Sequence, residues 1–273
     1  TERSERKRVK QRERRSGSLT KDSKQAYRDR FGLASKATAK NFFAAKDIKP
    51  KIDQEYISKL LKRLEDLVFA YDKILENSVR PESVERFIQE KIYAVYESLD
   101  SNGLIAKFTN QGRRPEQVLF NWLRGHVTAE FFLPAIKTLL KASESQSIGE
   151  DDISSLKSFR RLPKADYLLQ TPRGRLRLEV QAGFQGMNDI KFHKVEEARR
   201  VLMKENVPSL CAHLDIFNGQ AALFRLDQPD RLAWLKWEFQ SQMEGQKVAA
   251  IPEEGFVWKF LEPLPRLEDL ELD

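Results

Sequence analysis

Asp166, Glu179 and Gln181 fall within one stretch, Lys164 to Gly183, that reads as two short strands joined by a tight turn. Alternation along the second strand puts Leu176, Leu178 and Val180 on one face and Arg175, Arg177, Glu179 and Gln181 on the other. The apolar face can enter a core while the polar face looks into a cleft. A carboxylate on the first strand and a Glu-x-Gln pair on the second then converge, as a divalent-metal site for phosphodiester cleavage requires. Magnesium takes oxygen ligands and is usually held by one or two carboxylates plus water and substrate phosphate. Asp166 and Glu179 would supply them, and the ion would activate a water and stabilise charge on the phosphate and leaving oxygen.

The turn decides whether the two acids meet. With Pro172 and Arg173 as its central residues, Thr171 faces Gly174 and Asp166 lies opposite Glu179. With Pro172, Arg173 and Gly174 as a three-residue loop, the register slips by one and a bulge or strong twist must bring Asp166 round. The residues leave both open.

Elements of both periods must position this hairpin. Between Ile52 and Asn77 an apolar helical stripe runs through Ile57, Leu60, Leu61, Leu64, Leu67, Val68, Tyr71, Ile74 and Leu75. Pro81 restarts the chain, and Val84, Phe87, Ile88, Ile92, Val95 and Leu99 continue the period. Pro115 opens a third helix to about Leu140, with Pro134 expected to kink it. Residues 143–158 read as a loop. After the strands at about 165–171 and 175–182, a helix is expected from Asp189, as N-cap, to Asn206. Two strands should follow, joined by a two-residue turn at Asn218 and Gly219, then a helix near 229–243 and a strand near 255–262. The expected class is α+β with an α/β core, a mixed central sheet flanked by helices, and a helical N-terminal half. The expected divisions are a basic flexible arm at 1–30, a helical region at 31–110, the core at 111–262 and an acidic tail at 263–273.

The 273 residues suffice for one large domain or two small ones. The net charge of +7 is carried by the arm, which holds 12 of the 48 Lys+Arg and 5 of the 41 Asp+Glu, leaving 36 of each elsewhere. Such an arm suits counterion-releasing contact with nucleic acid, or is a solvated tail. Cys211 is the only cysteine, which excludes an internal disulfide and a cysteine-based zinc site and points to a reducing, cytoplasmic setting. No apolar run approaches the roughly 20 residues of a membrane span, and the first residues are too charged for a secretory signal.

The segments Pro163-Lys164-Ala165-Asp166 and Glu179-Val180-Gln181 resemble the PD-(D/E)xK nuclease superfamily, and within it the type II restriction endonucleases. Two residues separate the proline from the aspartate, and glutamine stands where lysine is usual. Glu-x-Gln also occurs among restriction endonucleases of this superfamily. The resemblance implies a restriction-endonuclease-like fold and a magnesium-dependent, sequence-specific endonuclease acting on double-stranded DNA as a homodimer. It implies Asp166, Glu179 and the carbonyl of Val180 at the metal, Gln181 orienting water, and a further acid from the preceding helix. Glu130, on that helix's apolar stripe, would be this acid; alternatively it pairs with an arginine such as Arg124 or lies at the helix margin. Glutamine brings only a dipole, so Lys191 is expected to supply the missing positive charge.

DNA contacts are expected from Gln185 and Asn188, whose amides suit adenine edges, and from Lys191, Lys194, Arg173, Arg113 and Arg114 at phosphates. His193 is a further candidate near the scissile phosphate. His126 and Glu130 have a chelating spacing but no third ligand. Two rival readings are a structure-specific or repair nuclease and a non-catalytic DNA-binding or scaffolding protein.

Overall fold

The computed structural model describes residues 21–45, 48, 51–108, 113–149, 165–231, 235–240, 246–270 and 272. It divides into two units between Lys51 and Ile52. In the smaller unit, helices α1 (Lys21–Phe31) and α2 (Lys36–Phe43) bury no residue. Ser35 caps α2 by accepting from the Thr38 N–H at 3.1 Å, and the rings of Phe31, Phe42 and Phe43 cluster at 5.5–6.4 Å. Residues 21–30, expected in the basic arm, all belong to α1; the remainder of the arm lies outside the described residues.

In the larger unit, Asp53 starts α3 (Gln54–Asp72) by accepting from the Tyr56 N–H at 2.9 Å. Of its stripe, Ile57, Leu61, Leu64, Val68 and Tyr71 are buried, while Leu60 and Leu67 at its margins are half-buried. Ser83 caps α4 (Val84–Ile88), which runs into a π-helical turn (Gln89–Tyr93) and then α5 (Ala94–Ser101). The long helix α6 (Pro115–Leu139) is continuous through Pro134, so the expected kink does not interrupt it. It buries residues on several sides because it packs between α3 and the sheet.

The main sheet has six strands in the order β1 (Glu144–Ser147), β2 (Tyr167–Thr171), β3 (Gly174–Gly183), β5 (Ser209–Asp215), β6 (Gln220–Arg225) and β9 (Trp258–Lys259). Only β3 and β5 run parallel; the other neighbours are antiparallel. A crossover containing β4 (Asp189–Lys191) and α7 (Phe192–Glu205) joins β3 to β5. Strand β4 pairs with β8 (Gln246–Ala250), which pairs with β7 (Glu238–Gln240), giving a second, three-stranded antiparallel sheet.

Alternation sorts the main sheet into two cores. Leu169, Leu178, Leu210, Ala212, Leu214, Ala221 and Leu223 join the helical layer of α3 to α6. Cys211, Ala222 and Phe224 face Val195 and Ala198 of α7 and Ile190 of β4. Every residue of β5 is therefore buried. The class is α+β, with a mostly antiparallel mixed sheet flanked by helices. No helix among the described residues is long and apolar enough to cross a membrane.

Several boundaries differ from expectation. Residues 144–147, expected in a loop, pair with β2 as a strand. Helix α7 begins at Phe192 because Asp189 to Lys191 are committed to β8. Asp215 pairs with Gln220, so four residues rather than two make the turn, and Asp215 accepts there from the Asn218 N–H and side-chain amide at 3.2 and 2.6 Å. The helix expected near 229–243 is a short 3-10 turn (Pro229–Arg231) followed by β7; residues 232–234 and 241–243 lie outside the described residues. The strand expected at 255–262 shrinks to two residues. In the acidic tail, Leu270 is buried, with Leu264 and Leu267 packed against the helical-side core.

Candidate active site

The hairpin adopts the first of the two registers. Thr171 pairs with Gly174 and Tyr167 with Leu178, which brings Asp166, just before β2, opposite Glu179. Gly174 holds φ +110°, a conformation that side chains resist and the turn requires. The Asp166 N–H donates to the Leu178 carbonyl at 3.0 Å, and the Val180 N–H donates to Asp166 Oδ2 at 2.7 Å.

Those two bonds also fix the backbone. The Arg177 N–H donates to Pro208 at 2.9 Å, toward β5, while Leu178 and Val180 address Asp166. Alternate residues of β3 therefore turn to opposite neighbours. By the same alternation the Val180 carbonyl is directed to the β2 edge, as its N–H is.

Glu179 is 5% exposed and lies across from Cys211 in the parallel register. Its two oxygens stand 2.8 and 2.9 Å from Lys194 Nζ, and Gln181 Nε2 donates to Oε1 at 3.4 Å. Burial alone would lower the Lys194 pKa. The charge and hydrogen bond of Glu179, helped by Asp166, outweigh it and raise the value above the ordinary lysine range. Burial and then Glu179 push the Cys211 thiol well up, so it is a neutral, inert neighbour.

Beside this cluster, His213 pairs with Gln181 in the register. The Asn188 amide donates to Asp215 Oδ2 at 2.8 Å, so its carbonyl oxygen accepts from His213 Nε2 at 3.0 Å. The imidazole therefore carries its proton on Nε2. Nδ1 is buried with no hydrogen-bond partner among the described residues. Burial, partly opposed by Asp215, lowers the His213 pKa to about 4. Gly183 makes this possible: a Cβ there would come 2.6 Å from Asn188 Oδ1 and 2.8 Å from the Met187 carbonyl.

Asp166, Glu179, Val180 and Gln181 are brought together, and Lys194 joins them. Lys191 lies in the small sheet, where its backbone pairs with Val248; the lysine that bonds Glu179 is Lys194, one helical turn on. Glu130 stands apart from the cluster. Its carboxylate accepts from the Tyr167 O–H at 2.6 Å and from Lys91 at 2.7 Å, and Tyr167 faces the helical-side core, opposite in alternation to Asp166. Burial would raise the Glu130 pKa, but Lys91 and Tyr167 hold it below the usual value.

Among the expected DNA contacts, Arg173, Gln185 and His193 are exposed. Asn188 is not an available base reader, since both ends of its amide are committed within the fold. Arg114 is spent on Glu116 at 3.1 Å, Asp53 at 3.4 Å and the Tyr56 ring at 4.8 Å; Arg113 is exposed. Sequence reading missed the His213–Asn188–Asp215 network, because Asn188 lies 25 and 27 residues before the two β5 residues it joins. Lys194, expected only at phosphates, is instead largely buried against Glu179; the signal was its place on one stripe with the buried Ala198 and Val201.

The donors suit a hard divalent cation, with oxygen ligands from two carboxylates and one backbone carbonyl. No group of three His, Cys, Asp or Glu side chains gathers for a metal among the described residues. The cavity next to Glu179 and Lys194 measures about 10 Å³, the space of one water. No family model, no curated protein and no solved structure matches the chain.

Proposed function

We propose that the protein is a magnesium-dependent endonuclease of double-stranded DNA, of the type II restriction kind and with a restriction-endonuclease-like core. The observation that carries this reading is the register that sets Asp166 opposite Glu179, with the Val180 carbonyl turned to the same side. Asp166, Glu179 and Val180 would hold the ion, which supplies water activation and charge neutralisation at the phosphate. Val180 N–H fixes the Asp166 carboxylate in place. Gln181 orients the water. Lys194 brings the cation that the Glu-x-Gln motif lacks, held in the apolar flank of α7 where its charge is weakly screened. Arg173, Gln185, His193 and the exposed side of α7 supply phosphate and base contacts. Cutting both strands of a two-fold symmetric sequence takes two copies, so a homodimer belongs to the reading, as does a cytoplasmic setting.

A mapped plasmid digested with magnesium tests it. Discrete fragments, lost in Asp166→Ala and Glu179→Ala while DNA binding persists, are expected. Absence of cutting by the parent protein with magnesium or manganese overturns it. Unspecific nicking, or cutting confined to branched DNA, would instead identify a structure-specific or repair nuclease.

One observation favours a second reading, a non-catalytic DNA-binding or scaffolding protein. Both oxygens of Glu179 are held by Lys194, and their side chains are only 6% and 18% exposed. In that reading the pair is an internal brace, and neither alanine variant alters any activity.

A further inference from the structure

Two irregular helices meet at a second cavity. The π-helical turn Gln89–Tyr93 carries Lys91, and Pro134 lies inside α6. Lys91, Glu130, Pro134 and Lys137 line the same open cleft of about 530 Å³, within the range of roughly 300–1,000 Å³ common for small-molecule sites. A π turn adds a residue to the helical repeat and re-aims the side chains beyond it. Proline has no N–H to return to the carbonyl four residues back, so the Glu130 carbonyl lacks its helical donor at the wall of the cleft.

The lining is of two kinds. Pro81, Phe87, Leu133 and Pro134 make an apolar wall, and Lys91, Lys137 and Lys141 make a cationic one. Glu130 is the only acid lining the cleft among the described residues, and Lys91 and Tyr167 already occupy its carboxylate. Lys141 reaches Glu268 at 2.7 Å, but both side chains are more than half exposed, and such surface pairs hold weakly. Lys137 makes no ion pair among the described residues. Three cations beside one occupied carboxylate leave an excess of positive charge over an apolar wall.

We infer that this cleft binds a small amphipathic anion, a carboxylate or phosphate-ester head on an apolar body. The head meets Lys137 and Lys141 at the rim, and the body lies against Phe87, Leu133 and Pro134. The site is separate from the Asp166–Glu179 cluster and does not depend on its proposed chemistry.

Calorimetric titration of the full chain with monomeric octanoate, octyl phosphate, inorganic phosphate and octylammonium tests this. Saturable binding of octanoate, octyl phosphate or both is expected, with inorganic phosphate and octylammonium about tenfold or more weaker. The preferred head group tells a carboxylate ligand from a phosphate ester. The double variant Lys137→Glu/Lys141→Glu, at a half-buried and an exposed position, should weaken binding about tenfold or more at an unchanged melting temperature. Thr138→Trp, which fills the cleft from its exposed rim, should abolish it. The inference is overturned if neither amphiphile binds, if octylammonium or inorganic phosphate binds as well, if the charge-reversed variant binds equally, or if only micelles or vesicles are bound.

Discussion

Lys194 and Glu179 form a two-point contact, one ammonium nitrogen 2.8 and 2.9 Å from the two oxygens of a carboxylate on another element. The contact pins α7 to β3 on the face of the sheet opposite the helical layer. It also assembles the Asp-Glu-x-Gln cluster with a cation taken from the helix rather than from the strand.

Removing the lysine should therefore cost stability as well as any activity. Lys194→Met leaves Glu179 charged and buried, and should lower the unfolding free energy by about 3–5 kcal/mol. Lys191→Ala, which leaves Glu179 and Lys194 paired, should lower it by less. Urea titrations compare the two. The double variant Glu179→Met/Lys194→Met should recover most of the loss; equal losses for Lys191 and Lys194 would refute the assignment.

Asp166→Asn separates ligand chemistry from folding. Asparagine can still accept from the Val180 N–H, so stability should change by less than about 1 kcal/mol. Cleavage should fall by at least the 10–100-fold or so that losing an outer partner of a metal ligand causes. A melting curve and a magnesium-dependent digest on one preparation provide both readings.

His213 should impose a pH dependence on stability. It is kept neutral when folded, with a pKa near 4, whereas the unfolded side chain titrates near 6.5. Between those values the unfolded state binds the extra proton, so stability falls as pH drops through the window. The loss amounts to about 3 kcal/mol by pH 4. His213→Gln should flatten this part of the curve of unfolding free energy against pH. An unchanged slope would show that the proton goes elsewhere.

Gly183→Ala should destabilise by about 1–3 kcal/mol, because the new methyl meets a backbone carbonyl at 2.8 Å as well as the Asn188 amide. Thermal melts measure the loss. The variant should also disturb the His213–Asn188 hydrogen bond, visible as a shift of the imidazole signals by NMR.

Much of this was readable wherever one interaction dominates over a short span. The stripe of α3, the Pro115 start of α6 and the alternation of β3 follow from burial period alone, and two-residue pairing at Thr171 and Gly174 was one of two registers in view. Misreadings arose where a distant segment competes with local preference. Asp189 is a good N-cap by type, yet β8 recruits it into a strand and moves the helix start to Phe192. That shift is why Lys194 rather than Lys191 reaches Glu179. Glu130 had the inward position expected of it, but Lys91, from a helix far back in the chain, claims its charge. His213 offered no local signal, since its hydrogen-bond partner Asn188 comes from a loop 25 residues earlier.

Strand β5, covered on both faces and paired on both edges, sets the order in which the molecule comes apart. Its amides should be the last to exchange with deuterated water, since reaching them requires dismantling either flank. Assembly runs the other way: the parallel pairing with β3 must wait until the whole β4–α7 crossover has closed, and this late step should govern the refolding rate.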